Sequence, residues 1–225
     1  MFRFGLIFVS LLLLLSVSGC GGGNNNDFPL PPSFSESRFQ PNYGGDLDTV
    51  NYYTQPNITY RIMESDKATD IRLNRITAVN ATDAQKQAIR EAITKWQTAL
   101  AGNDPPHQRT FVEVGNDVLA DIDFVIQTRD QFRSTFFTEE FAYTEYYIRD
   151  IDRQFMGRAV VRLRNDLGDS NFRYVTLHET GHALGLVGHS RRLGTVMYPY
   201  QTPFSTISDL TDRDINTIRA TYTRE

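Results

Sequence analysis

The 225-residue chain has one cysteine, one tryptophan and four histidines. A lone cysteine excludes an intramolecular disulfide and any zinc site built from several thiolates. Stability must then come from an apolar core and from bound ions. Charge of one sign is also scarce, since 23 basic and 27 acidic residues give a formal charge of −4. With no basic excess to track a phosphate backbone, nucleic acid is not expected as a partner. Long apolar runs are missing too. The one candidate, Leu6 to Val17, is about 12 residues, too short to span a bilayer in comfort. No internal repeat is visible.

That run and the lone cysteine belong together. Arg3 supplies a positive start, Leu6 to Val17 an apolar segment, and Val17-Ser18-Gly19-Cys20 looks like a bacterial lipobox. Residues 1–19 are therefore read as a lipoprotein signal peptide, with Cys20 lipidated as the new N-terminus. Without Arg3 the chain has 22 basic against 27 acidic residues, a formal −5. Several acyl chains would hold Cys20 on a membrane face of a bacterial cell envelope, at the outer membrane, its periplasmic side or the cell surface. Residues 20–45 follow as a tether, flexible through Gly21 to Asn26 and extended around Pro29, Pro31, Pro32 and Pro41. Phe28, Phe34, Phe39 and Tyr43 are unusual in a spacer. Either they rest on the domain surface, the reading favoured here, or they fill a cleft as a short pro-segment. Residues 46–225 are expected to form one monomeric domain, long enough for a sizeable core.

Periodicity divides this domain. Ile58 to Met63 alternates as a strand. Thr82 to Leu100 reads as a long helix, with a Thr82/Gln85 capping box and an apolar face of Ile89, Ala92, Ile93, Trp96 and Leu100. Phe111 to Val114, Ala120 to Thr128 and Arg158 to Arg164 read as strands. Between them, Gln131 to Asp152 is crowded with aromatics and reads as a long loop or a short helix. A helix from about Ser170, capped by that serine, runs to about Leu184, and a last one is capped at Thr211 and Asp214. The expected fold is α+β, a twisted mixed sheet backed by helices.

Three of the four histidines lie in HETGHALGLVGH, from His178 to His189. His178 and His182, four apart, share one helix face and can grip one Zn2+. Glu179 sits beside that metal as a base for water. Gly185 can end the helix in a left-handed conformation, letting His189 return as the third ligand. Three protein ligands leave a fourth position open, as catalytic zinc requires. A polar helix with incidental histidines is the bland alternative.

The segment His178 to Ser190, with Val196-Met197-Tyr198-Pro199, resembles the metzincins, a clan of zinc endopeptidases, and within it the matrixin-like branch. Leu210 to Tyr222 is similar to the closing helix of matrixin catalytic domains, and weaker likeness reaches back to Ile58. The resemblance implies a metzincin-like zincin fold, one catalytic zinc, and a protein or peptide substrate. It makes Met197 the methionine of a Met-turn beneath the metal, and places Tyr198, Pro199 and Tyr200 at the substrate pocket. Tyr198 follows Met197 directly, which disfavours it as the extra tyrosine ligand of some metzincins. The resemblance also makes Arg158 to Leu163 the edge strand above the cleft, with an ordinary covered strand as the equal alternative. One departure stands out: the family spacing puts the last histidine at 188, where this chain has Gly188, so the turn carries one extra residue. With no thiol in the domain, latency through a cysteine ligand is excluded. His107 is read as an exposed loop residue, and no second zinc is expected. Asp166, Asp169 and Asn171 around Gly168 could ligate Ca2+, though an ordinary solvated turn is the commoner outcome. A catalytically inactive binding lipoprotein, its zinc purely structural, is the competing function.

Overall fold

The computed structural model describes residues 52–65, 77–136, 140–150, 155–186, 188–190, 192–198 and 207–223. The signal, the tether, Cys20, Pro199 and Tyr200 lie outside these. Nine elements follow in order: β1 (Asn57–Ile62), α1 (Asp83–Ala101), β2 (Thr110–Glu113), β3 (Ile122–Gln127), α2 (Arg129–Phe136), β4 (Ala142–Asp150), β5 (Phe155–Arg164), α3 (Asp169–Ala183) and α4 (Asp212–Tyr222).

The strands form one sheet ordered β2-β1-β3-β5-β4. Its first four members are parallel, and β4 alone runs antiparallel, against β5. Alternation sorts the strand residues onto two faces. Ile58, Ile122, Phe124, Ile126, Val161 and Leu163 join the large core beneath α1 and α3, whereas Val125 and Val160 meet Met63 and Ala78 on the opposite face. On that second face Asp123, fully buried, is held between Arg61 (2.5 Å) and Arg158. β3, buried at every position, is the centre of the molecule.

The long helix begins as its sequence requires, with Thr82 and Gln85 closing a reciprocal capping box. Its apolar stripe is buried, and the Trp96 indole N–H donates to the Leu177 carbonyl at 2.9 Å, tying α1 to α3.

Four expectations need correction. First, Arg158 to Leu163 belongs to β5, which lies between β3 and β4 and is no edge. The edge is β4. Second, Gln131 to Asp152 is neither loop nor one short helix: it holds α2 and then a nine-residue strand. Aromatics in both phases of that strand, and its register shifts near Ile148, hide the two-residue period. Third, α3 is capped by Gly168 with no side-chain hydrogen bond, and Ser170 is already helical. Fourth, His107 sits in its loop half-buried, not exposed.

Candidate metal centre

α3 is buried almost all round from Tyr174 to Ala183, because it runs between α1 and the β4–β5 pair. The helix stops at Gly185, whose φ is 103°. The Gly185 N–H donates to His182 O (2.9 Å) and the Leu186 N–H to Gly181 O (3.1 Å), a closing pattern that needs a left-handed residue at this position. The reversal brings the Leu186 carbonyl beneath His182.

His178, His182 and His189 are the only group of three or more His, Cys, Asp or Glu among the described residues whose ligand atoms converge, all within 4.8 Å of one another. The Nε2 atoms of His178 and His182 are 3.0 Å apart, and those of His182 and His189 3.3 Å. The extra residue in the turn is therefore absorbed, and the third imidazole reaches the other two. Each helical ring is fixed from behind: His178 Nδ1 donates to Val196 O at 2.6 Å and His182 Nδ1 to Leu186 O at 2.5 Å. A neutral ring with its hydrogen on Nδ1 has a bare lone pair on Nε2. Two lone pairs facing at 3.0 Å repel unless a cation lies between them. Ligands held tetrahedrally at roughly 2.0–2.1 Å are about 3.3–3.4 Å apart, close to the spacings here. The donor set fits zinc.

Burial also keeps these rings neutral, as metal ligation demands. Desolvation lowers His178 to about 4 and His189 to about 3, and drives His182 well below its ordinary value with help from its two neighbours.

Glu179 is 1% exposed. Its Oε2 accepts a hydrogen bond from Thr144 Oγ1 at 2.6 Å, and its Oε1 has no hydrogen-bond partner among the described residues. Burial pushes its carboxyl up to about 8, with Glu140 adding to the rise and the Thr144 bond opposing it.

Met197 is fully buried under the helix. A Cβ on Gly181 would stand 2.5 Å from Met197 Sδ and 2.9 Å from Trp96 Cζ2, so only glycine leaves room there. The turn carrying Met197 is held from α4: one carboxylate, Asp214, accepts from the N–H groups of Val196 (3.1 Å), Met197 (3.4 Å) and Thr211 (2.9 Å) and from the Thr211 hydroxyl (2.6 Å). The Val196 carbonyl in turn orients His178, which links the last helix to the first imidazole. Ser190, next to His189, donates its N–H to Met197 O at 2.7 Å. Tyr198 is half-buried, and its carbonyl accepts from the Tyr174 hydroxyl at 3.2 Å.

Of the residues singled out from the sequence, the three histidines converge, and Glu179 and Met197 are buried. Sequence reasoning took Asp214 only as a helix cap and missed Thr144 altogether, because Thr144 lies in the aromatic segment where no strand was recognised. At the suggested calcium loop, the Asp166 carboxylate is gripped by Arg164 at 2.9 and 2.6 Å, and that contact lowers its pKa.

No curated protein matches the chain. The matrixin family model matches residues 52–223, which takes in all nine elements, the three imidazoles and the Met197 turn. On that match, and on a mixed five-stranded sheet with a converging triad of histidines, the chain belongs to the matrixin family of zinc metallopeptidases.

Proposed function

We propose that the protein is a zinc endopeptidase, with His178, His182 and His189 holding one ion through Nε2 and Glu179 as general base. The observation that carries this reading is a buried carboxylate with one unpartnered oxygen beside three converging imidazoles. When bound, zinc polarises a carbonyl and lowers the pKa of water from about 15.7 to about 7. Glu179 takes one proton from the attacking water at Oε1 while the water oxygen bonds to the scissile carbonyl carbon. It then delivers that proton to the leaving nitrogen as the C–N bond breaks. One water is consumed per bond, and the carboxylate is regenerated.

The substrate in this reading is an extended peptide. β4 pairs with β5 on one side only among the described residues, which leaves a backbone edge for strand addition next to Glu179. The enzyme acts as a monomer, carried on the bacterial envelope by lipidated Cys20. Among the described residues no helix is long and apolar enough to cross a membrane. The Cys20→Ser variant should leave the membrane fraction, and its retention there would remove the anchor from this reading.

The test is digestion of a peptide library by the zinc-loaded protein, beside a chelated sample and the Glu179→Gln variant. Chelation should abolish cleavage and added zinc restore it. Glu179→Gln should keep one zinc per chain and lose about 10²–10⁴-fold in kcat/KM. Near-normal cleavage by that variant contradicts the assignment. If the wild type holds its zinc but cuts nothing, the inactive binding protein is the better description.

A further inference from the structure

We propose that Thr144 is a positioning residue for the general base: its hydroxyl engages Oε2 of Glu179 and so assigns proton transfer to Oε1. This rests on the peptidase reading above. Thr144 is 1% exposed, on the inward phase of β4, with its backbone opposite Val161 of β5. It reaches α3 across 35 residues of chain, at 2.6 Å to Glu179 Oε2 and 3.2 Å to the Glu179 carbonyl. The hydroxyl has one hydrogen to give, and the carboxyl oxygen, at the shorter distance, takes it. A β-branched side chain is stiff at χ1, so on a paired strand the hydroxyl has little freedom to follow a moving carboxylate.

The consequence is a division of labour between the two oxygens. Oε2 is held by Thr144, and Oε1 alone is left for the proton of the water. When Oε1 has that proton, Oε2 is still a hydrogen-bond acceptor, so the Thr144 bond need not break at any stage of the cycle. Without it, no other hydrogen bond among the described residues fixes either oxygen of Glu179. Thr144 therefore acts on turnover and not on metal or substrate binding. The strand that offers its edge to the substrate is also the strand that aligns the base.

The experiment compares zinc-loaded full-length wild type with Thr144→Val, Thr144→Ala, Thr144→Ser and Glu179→Gln. Zinc content, kcat and KM are measured on one peptide substrate. Thr144→Val should keep one zinc and a KM within about twofold of wild type, with kcat down about 10–100-fold. Thr144→Ser, which restores the hydroxyl, should return kcat to within about fivefold. Should Thr144→Val fail to fold, Thr144→Ala against Thr144→Ser makes the same comparison. The proposal is overturned if the variants without a hydroxyl keep kcat within twofold of wild type, or if Thr144→Ser loses as much as they do. An inactive wild type would sink the peptidase reading together with this one. An active wild type, a dead Glu179→Gln and a fully active Thr144→Val would sink only the role of Thr144.

Discussion

The two helical imidazoles of the triad owe their direction to backbone carbonyls behind them, and the longest line of support starts at Asp214. Its carboxylate gathers two donors from Thr211 and two from the Met197 turn, and the carbonyl of that turn then fixes His178. Asp214→Ala would strand these donors in a buried place. A loss of about 2–4 kcal/mol in unfolding free energy is expected, with zinc affinity weakened about tenfold. Denaturant melts and zinc titration of the variant check this, and an unchanged zinc affinity would mean that the His178 tether does not matter. The cap was legible as Thr211 followed three residues later by Asp214. Its second duty was not, since a contact to Val196 18 residues away leaves no mark in local spacing. The triad was legible because four-residue spacing and a turn glycine are local.

Among the elements, α3 shows why a helix so poor in apolar residues is nonetheless central. It is surrounded, and its polar groups are consumed by the site, with Thr144 on Glu179 and two backbone carbonyls on the rings. Gly181 lies between the two helical histidines, where Trp96 and Met197 press closest. Gly181→Ala would gain helix propensity but force the rigid Trp96 ring or the Met197 turn to move. A net destabilisation of about 1–3 kcal/mol is expected by thermal or denaturant melts. A more stable variant would show that the approach is looser than described. β4 was the element that pattern reading lost. The edge assignment of its neighbour β5 came from the resemblance alone, since which of two adjacent strands lies outermost depends on pairing partners far along the chain.

Across the whole molecule, the sheet divides the labour: one face carries the core and the site, the other a buried Asp123 between Arg61 and Arg158. Nearer the surface, Arg90 of α1 forks onto Glu113 of β2 at 2.8 and 2.7 Å and holds that carboxyl below its ordinary range. A carboxylate with a depressed folded pKa stabilises the fold above its unfolded value, about 4.3, and that stability fades as pH falls through the folded value. Because the pair is partly exposed, wild type should lose only about 0.5 kcal/mol more than Glu113→Gln between pH 6 and 3. Parallel pH curves for the two proteins would remove this pair from the acid response.

Metal coordination is where fold, site and proposed activity meet, and X-ray absorption at the zinc edge reads it without depending on any substrate. The zinc-loaded protein should show three imidazole nitrogens and one oxygen at roughly 2.0–2.1 Å, falling to two imidazoles in His189→Ala. A wild-type spectrum with only two imidazoles, or with a fourth protein ligand closing the ion off, would contradict the account.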